Sequence, residues 1–135
     1  MLTIDTNIWA YYLDDQSPFH ARVAPQVEAA LKTQQIAINT VIVMEVSHFL
    51  VKNLGPVEGA EKLAAFLGFP FSVVDFDYRS ALDAVEMLKR YSHLGIGGRD
   101  ATILGMMGRL KMTGIMTHDD ALKKVDWLEA VDPAA

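Results

Sequence analysis

Apolar and polar positions change period along this chain, and the changes divide it into alternating strands and helices. Leu2 to Asp5 opens with a short apolar run and reads as a strand. Thr6 to Asp14 then sets Ile8, Tyr11 and Tyr12 on one face of a helix. Turn chemistry from Asp14 to Pro18 leads into a helix over Phe19 to Lys32, with a bend expected at Pro25, and Gln35 to Asn39 reads as a second strand. Asn39 or Thr40 can cap a strongly apolar helix from Thr40 to Leu54, which Gly55 and Pro56 stop. Val57 to Leu67 is a further helix, closed by Gly68 and Pro70. Phe71 to Asp75 is the third strand, and Asp77 to Ser92 alternates apolar and charged residues at helical spacing. A loop with Gly95, Gly97 and Gly98 introduces the helix Arg99 to Lys111. Gly114 to Thr117 forms a fourth strand, Asp119 to Lys124 a short helix, and Glu129 to Val131 an edge strand before a frayed end at Pro133.

Strands that alternate with helices imply right-handed crossovers, and hence an α/β fold with a mostly parallel sheet of four or five strands covered on both faces. Ligands in such sheets sit beyond the carboxyl ends of the strands, where the winding direction reverses. The length, 135 residues, suits one domain spanning the chain. With 51% apolar and 21% charged residues, the composition is that of a chain with a packed core rather than a disordered one. No cysteine is present, so a metal site has to use oxygen or histidine ligands, and a reducing cytoplasm suits the chain. There is no apolar run of the roughly 18 residues a membrane span needs. The net charge of −5 argues against nucleic-acid binding through a broad basic face. Two bound divalent ions would reduce that charge to roughly −1, and acidity also suits a basic protein partner.

Four carboxylates stand out. Asp5 ends the first strand and Asp119 follows the fourth, so both belong at the carboxyl edge of the sheet, although Asp beside a helix start is also an ordinary cap. Glu45 is three residues after Ile42 and four before Phe49, which turns it inward from an apolar helix. Asp100 has Ile103, Leu104 and Met107 on its own stripe, so it also faces the core from the first turn of its helix. A buried carboxylate without a partner costs several kcal/mol unless it is protonated, paired or bound to metal. Arg99 adjoins Asp100 and is expected to point elsewhere, and Lys52 reaches Glu45 only by stretching. A cation from solution is therefore the simpler partner, with a salt bridge or a wet rim position as the alternative. Oxygen-only ligands select Mg²⁺ or Mn²⁺ over zinc, with calcium still open.

Asp5-Thr6-Asn7 after the first strand, Glu45 in an apolar helix, Asp100-Ala101 opening a helix and Thr117-His118-Asp119 after a strand together resemble a PIN domain. Order and spacing resemble the VapC-type toxins of toxin–antitoxin pairs over nearly the whole chain. The resemblance implies a three-layer α/β/α fold, one or two Mg²⁺ or Mn²⁺ ions and endoribonuclease activity in which a water activated by metal attacks the phosphodiester. By matching motif it makes Asp5, Glu45, Asp100 and Asp119 the acids of the site, with Thr6, Asn7 and Thr117 orienting them or the attacking water. It also implies a cognate antitoxin, with a segment that wraps the toxin, and a homodimer. Asp120 beside Asp119 is a rival for the fourth position, since the family's last acid is often followed by a spacer and an aromatic rather than by a second acid.

Among the remaining residues, Arg99 ranks first for touching phosphate, ahead of Lys52, Lys123 and Lys124. Trp9 is the best placed of the aromatics to stack a base, against a reading in which it is core. His118 is expected in a solvent-exposed loop, the seven methionines as core filling, and Ala101, Gly105 and Gly108 as a strip for close packing. A phosphotransferase using an aspartyl phosphate also places Asp after its first strand, but it wants a second acid where Asn7 stands. An RNA-processing nuclease without an antitoxin would have the same site, whereas a non-catalytic RNA- or protein-binding domain of this type would be expected to lack one of the acids.

Overall fold

The computed structural model describes residues 1–135. Leu2, Thr3 and Ile4, all buried, form strand β1 (Leu2–Ile4) at the centre of the sheet. Asp5 then caps helix α1 (Thr6–Leu13), its carboxylate accepting from the Thr6 N–H. Helix α1 buries Ile8, Trp9 and Leu13 and leaves Tyr11 and Tyr12 half-buried, so its inner face is rotated from the one expected. Helix α2 (His20–Thr33) runs through Pro25 with Val23, Val27 and Ala30 inside. After β2 (Ile36–Asn39), the Asn39 side chain accepts from the Ile42 N–H and caps α3 (Thr40–Leu67). The two helices expected here meet at a sharp kink within α3. Gly55 adopts φ 85°, in the region that favours glycine, and Pro56 follows it.

The kink brings the second half of α3 against the first. A Cβ on Gly59 would lie 2.5 Å from the Leu50 carbonyl oxygen. Gly59→Ala is therefore expected to destabilise the protein by about 2 kcal/mol, since backbone rather than a flexible side chain has to yield. A lowered urea midpoint with unchanged slope would show it.

The chain continues through β3 (Phe71–Val74), α4 (Tyr78–Tyr91), a 3₁₀ turn at Ser92–Leu94, α5 (Gly98–Leu110), β4 (Gly114–Met116), α6 (Asp120–Lys123) and β5 (Glu129–Val131). All five strands are parallel, in the order β3-β2-β1-β4-β5. Right-handed crossovers put α1, α2 and α3 on one face, because β1, β2 and β3 step outward in one direction. The return from β3 to β4 puts α4 and α5 on the other face, where they pack closely together: Gly105 lies against the backbone of Asp83 and Ala84. The expected three-layer α/β/α architecture is the one observed. Of the methionines, Met106, Met107, Met112 and Met116 fill the core, but Met1 and Met44 are exposed.

This order fixes where a ligand can enter. The chain winds outward from β1 to β3, then crosses back to place β4 on the other side of β1, so the direction reverses between β1 and β4. The two helices that follow these strands diverge to opposite sides, opening a crevice at their carboxyl ends.

Candidate active site

Asp5 enters that crevice from β1 and is almost fully buried. Its Oδ1 accepts from the Thr6 N–H at 2.7 Å, and its Oδ2 accepts from the Thr117 hydroxyl at 2.7 Å. Thr117, just past β4, also accepts from the Asp119 N–H at 3.0 Å. One buried hydroxyl thus ties together the acids that follow the two central strands. Asp119 in turn caps α6, accepting from the N–H groups of Ala121 and Leu122.

Asp100 comes from the first turn of α5 and is buried. Its Oδ2 has a long contact with the Gly97 N–H at 3.5 Å, while its Oδ1 is buried with no hydrogen-bond partner. Glu45 leans in from α3 with its side chain 21% exposed. Its Oε1 accepts from the Thr6 hydroxyl at 3.0 Å, and its Oε2 lies 3.0 Å from Nε of Arg99. Asn7 sits beside them, and its side-chain oxygen is also buried without a partner.

The acids feel one another. Burial pushes the Asp100 carboxyl up to about 6, and the charges of Asp119 and Asp5 push the same way. Burial likewise raises Asp5, against the hydrogen bonds from Thr117 and Thr6 that favour its ionised form, and Asp119 adds to the rise. Glu45 is raised by burial in spite of Thr6 and Arg99. A crevice whose carboxylates are driven toward protonation by desolvation and mutual repulsion is one that a hard cation would relieve. As they stand, no three acidic or imidazole side chains are close enough together to form a ready-made chelate. The orphaned Oδ1 of Asp100 and the all-oxygen donors fit a divalent ion in chemistry.

A pH dependence follows. In each of these three acids the folded-state pKa lies above the unfolded value, so the folded protein holds the proton more tightly and loses stability as pH rises through that interval. Asp77 and Asp132 are shifted the opposite way, and both are ionised in folded and unfolded states above pH 5. In EDTA the protein is therefore expected to be more stable at pH 5 than at pH 7, by about 1–2 kcal/mol once solvent screening is allowed for. Thermal melts at the two pH values check this, and equal melting points would contradict it.

Several expectations are corrected. Arg99 does not point away from the inward acids: it is the ion-pair partner of Glu45, so this pair is satisfied within the chain. A long side chain on the first turn of α5 reaches α3 although its Cα adjoins that of Asp100. Asp120 has its side chain 91% exposed and pairs with Lys123, whereas Asp119 lies within electrostatic range of both Asp5 and Asp100. His118 is not a free loop side chain: its Nδ1 is 2.8 Å from Asp132 Oδ2, and its ring packs on Tyr11 and Phe19. Trp9 is fully buried among Phe66, Phe69 and Phe71 and cannot stack a base. Tyr11 and Phe49, both half-buried, are the aromatics on the side of Glu45 and Arg99. They line a cleft of about 400 Å³ together with Thr6, Asn7, Glu45, His48, Lys52, Asn53 and Arg99. Among these, Asn53 was missed in the sequence; it stands four residues from Phe49 on α3, as His48 stands three from Glu45, a spacing that marks one helix face.

The PIN domain family model matches residues 2–128 of this chain. Among solved structures, Mycobacterium tuberculosis VapC20, a sarcin-ricin loop cleaving toxin, superposes with a TM-score of 0.80 at 17% identity, covering 96% of this chain and 98% of its own. VapBC2 from Rickettsia felis, bound to a DNA fragment from its promoter, gives 0.74 at 21% identity, with 96% of each chain covered. A toxin–antitoxin complex from Klebsiella pneumoniae gives 0.72 at 19% identity, with 98% of each chain covered. No curated protein matches the chain in sequence. The match of a family model over nearly the full length, on a parallel sheet with acids at its carboxyl edge, means that the chain belongs to the PIN domain family.

Proposed function

We propose that the protein is a metal-dependent endoribonuclease acting as the toxin of a toxin–antitoxin pair, with Asp5, Glu45, Asp100 and Asp119 as the acids that hold Mg²⁺ or Mn²⁺. The observation that carries this reading is the gathering of Asp5, Asp100 and Asp119 at the β1–β4 reversal, with Asp100 raised to about 6 and one of its oxygens orphaned. A divalent ion bound there would supply Lewis acidity, lowering the pKa of water and neutralising charge on the leaving oxygen.

The chain's own groups do the rest. Thr117 and the Thr6 N–H hold Asp5 in one orientation, and Thr117 also accepts from the Asp119 N–H, which fixes the backbone that carries Asp119 relative to Asp5. The unpartnered oxygen of Asn7 would accept a hydrogen bond from the attacking water and so help orient it. Arg99 meets the phosphate, with Lys52 further along the cleft, and Tyr11 and Phe49 offer faces to an unstacked base. A cleft of this size lined by α1 and α3 suits a flexible single strand better than a duplex.

The toxin assignment rests on likeness to VapC and toxin–antitoxin structures, which supports an antitoxin partner; a homodimer is proposed with it from the family resemblance alone. No helix is long and apolar enough to cross a membrane, and a cytoplasmic location suits an RNA substrate. The test is incubation of purified, antitoxin-free protein with a pool of structured RNAs in EDTA, Mg²⁺ or Mn²⁺. Discrete fragments that need the metal are expected; binding without cleavage in every buffer would move the protein to a non-catalytic role.

A further inference from the structure

Glu45 carries an anomaly that the nuclease reading leaves open. An acid meant for a cation has both oxygens engaged already, Oε1 by the Thr6 hydroxyl and Oε2 by Arg99. Thr6 is a neutral donor whose hydroxyl can rotate, but Arg99 brings a full positive charge to a carboxylate oxygen that would otherwise be free for a cation. That charge lies within range of Asp5 and Asp100 as well as Glu45.

Arg99 is also held against its local preference. It stands in the first turn of α5, where the helix dipole disfavours a cation, and its side chain is 54% exposed. Nε faces Glu45 Oε2 at 3.0 Å, and the same residue borders the cleft that contains Lys52, Asn53 and Tyr11. An exposed ion pair of this kind is weak and readily exchanged.

We infer that Arg99 is an internal counter-ion that serves two anions in turn: it neutralises Glu45 while the site lacks a cation, and binds the RNA phosphate in the cleft once a divalent ion has taken Glu45. This rests on the metal-dependent reading of the site and adds to it a coupling between its two ligands. Arg99 opposes the metal when RNA is absent, and assists substrate when the metal is bound. A residue that merely held the fold would show neither effect, and one that merely touched phosphate would leave the metal affinity alone.

The test compares wild type with Arg99→Gln and Arg99→Lys. Mn²⁺ binding is measured without RNA by the electron paramagnetic resonance of the free ion, and cleavage of one RNA is measured at saturating Mn²⁺. Arg99→Gln is expected to bind Mn²⁺ about tenfold more tightly, the scale of a unit charge removed about 6 Å from a divalent ion in a water-like dielectric. Its kcat/KM is expected to fall at least about tenfold through KM, in line with losing a charged contact to phosphate. Arg99→Lys, which keeps the charge, is expected to bind Mn²⁺ as wild type does. Unchanged or weaker Mn²⁺ binding by Arg99→Gln, with wild-type cleavage still metal-dependent, overturns the coupling alone. Absence of Mn²⁺ binding in all three proteins overturns it together with the metal reading. Tight Mn²⁺ binding with no cleavage of any RNA removes the nuclease reading and the phosphate half of the inference, and leaves the competition at Glu45 standing.

Discussion

Asp100→Asn is expected to abolish metal-dependent RNA cleavage, by about 10²–10³-fold or more, and to make the metal-free protein more stable at pH 7. The two effects have one cause. At neutral pH the wild-type carboxylate is ionised in a crevice that raises its pKa to about 6, beside Asp5 and Asp119, with Oδ1 unsatisfied. Asparagine has nearly the same shape and no charge, so it removes the repulsion and the desolvation cost, a gain of about 1–2 kcal/mol after allowance for solvent. It also removes the charge a divalent ion needs. Cleavage assays and urea unfolding in EDTA read the two effects separately. A variant that is inactive because it is destabilised would show instead that Asp100 is a structural acid, with Gly97 as its true partner.

Trp9→Ala is expected to cost about 3–5 kcal/mol, enough to leave a large unfolded fraction in a domain of ordinary stability. Trp9 is fully buried, with the ring of Phe66 edge-on at 5.1 Å and that of Phe69 stacked at 5.8 Å, and it ties α1 to the second half of α3. Its indole nitrogen is buried without an acceptor, so Trp9→Phe, which removes that donor and keeps most of the ring, is expected to be far milder. Denaturation midpoints separate packing from base stacking. A stacking residue would lose RNA affinity on truncation while keeping its midpoint. The same truncation at Tyr11, which is half-buried and borders the cleft, is expected to weaken RNA binding with a much smaller loss of stability.

How much of the molecule is legible in its sequence follows from which properties are local. Asp5, Glu45, Asp100 and Asp119 stand out in the sequence because each breaks a short-range pattern or follows a strand, whereas alternating elements imply a parallel sheet but leave its strand order, and so the reversal between β1 and β4, open. The kink at Gly55 is local too: a glycine before a proline in an apolar run. Contacts set by side-chain reach or by tertiary approach were not legible. Arg99 meets Glu45 across 54 positions of sequence because α5 starts beside α3, and adjacency to Asp100 misled about where a long flexible side chain ends. Thr117 reaches Asp5 across 112 positions, and only the parallel pairing of β1 with β4 brings them together. His118 finds Asp132 because β5 lies beside β4, so that the residues that leave the two strands are neighbours. The choice between Trp9 and Tyr11 as the buried aromatic of α1 depends on how an eight-residue helix is rotated on the sheet, and so short a helix carries too few turns to fix that rotation.

The claim on which the functional reading rests is that the acids at the β1–β4 crevice share one divalent ion. The most direct measurement is anomalous diffraction from a crystal of the RNA-free protein soaked in Mn²⁺, collected near the manganese absorption edge. The expected result is a peak in the crevice within coordinating distance of Asp5 and Asp100, with Glu45 freed from Arg99. A map with no peak there, or with manganese held only elsewhere on the surface, would contradict it.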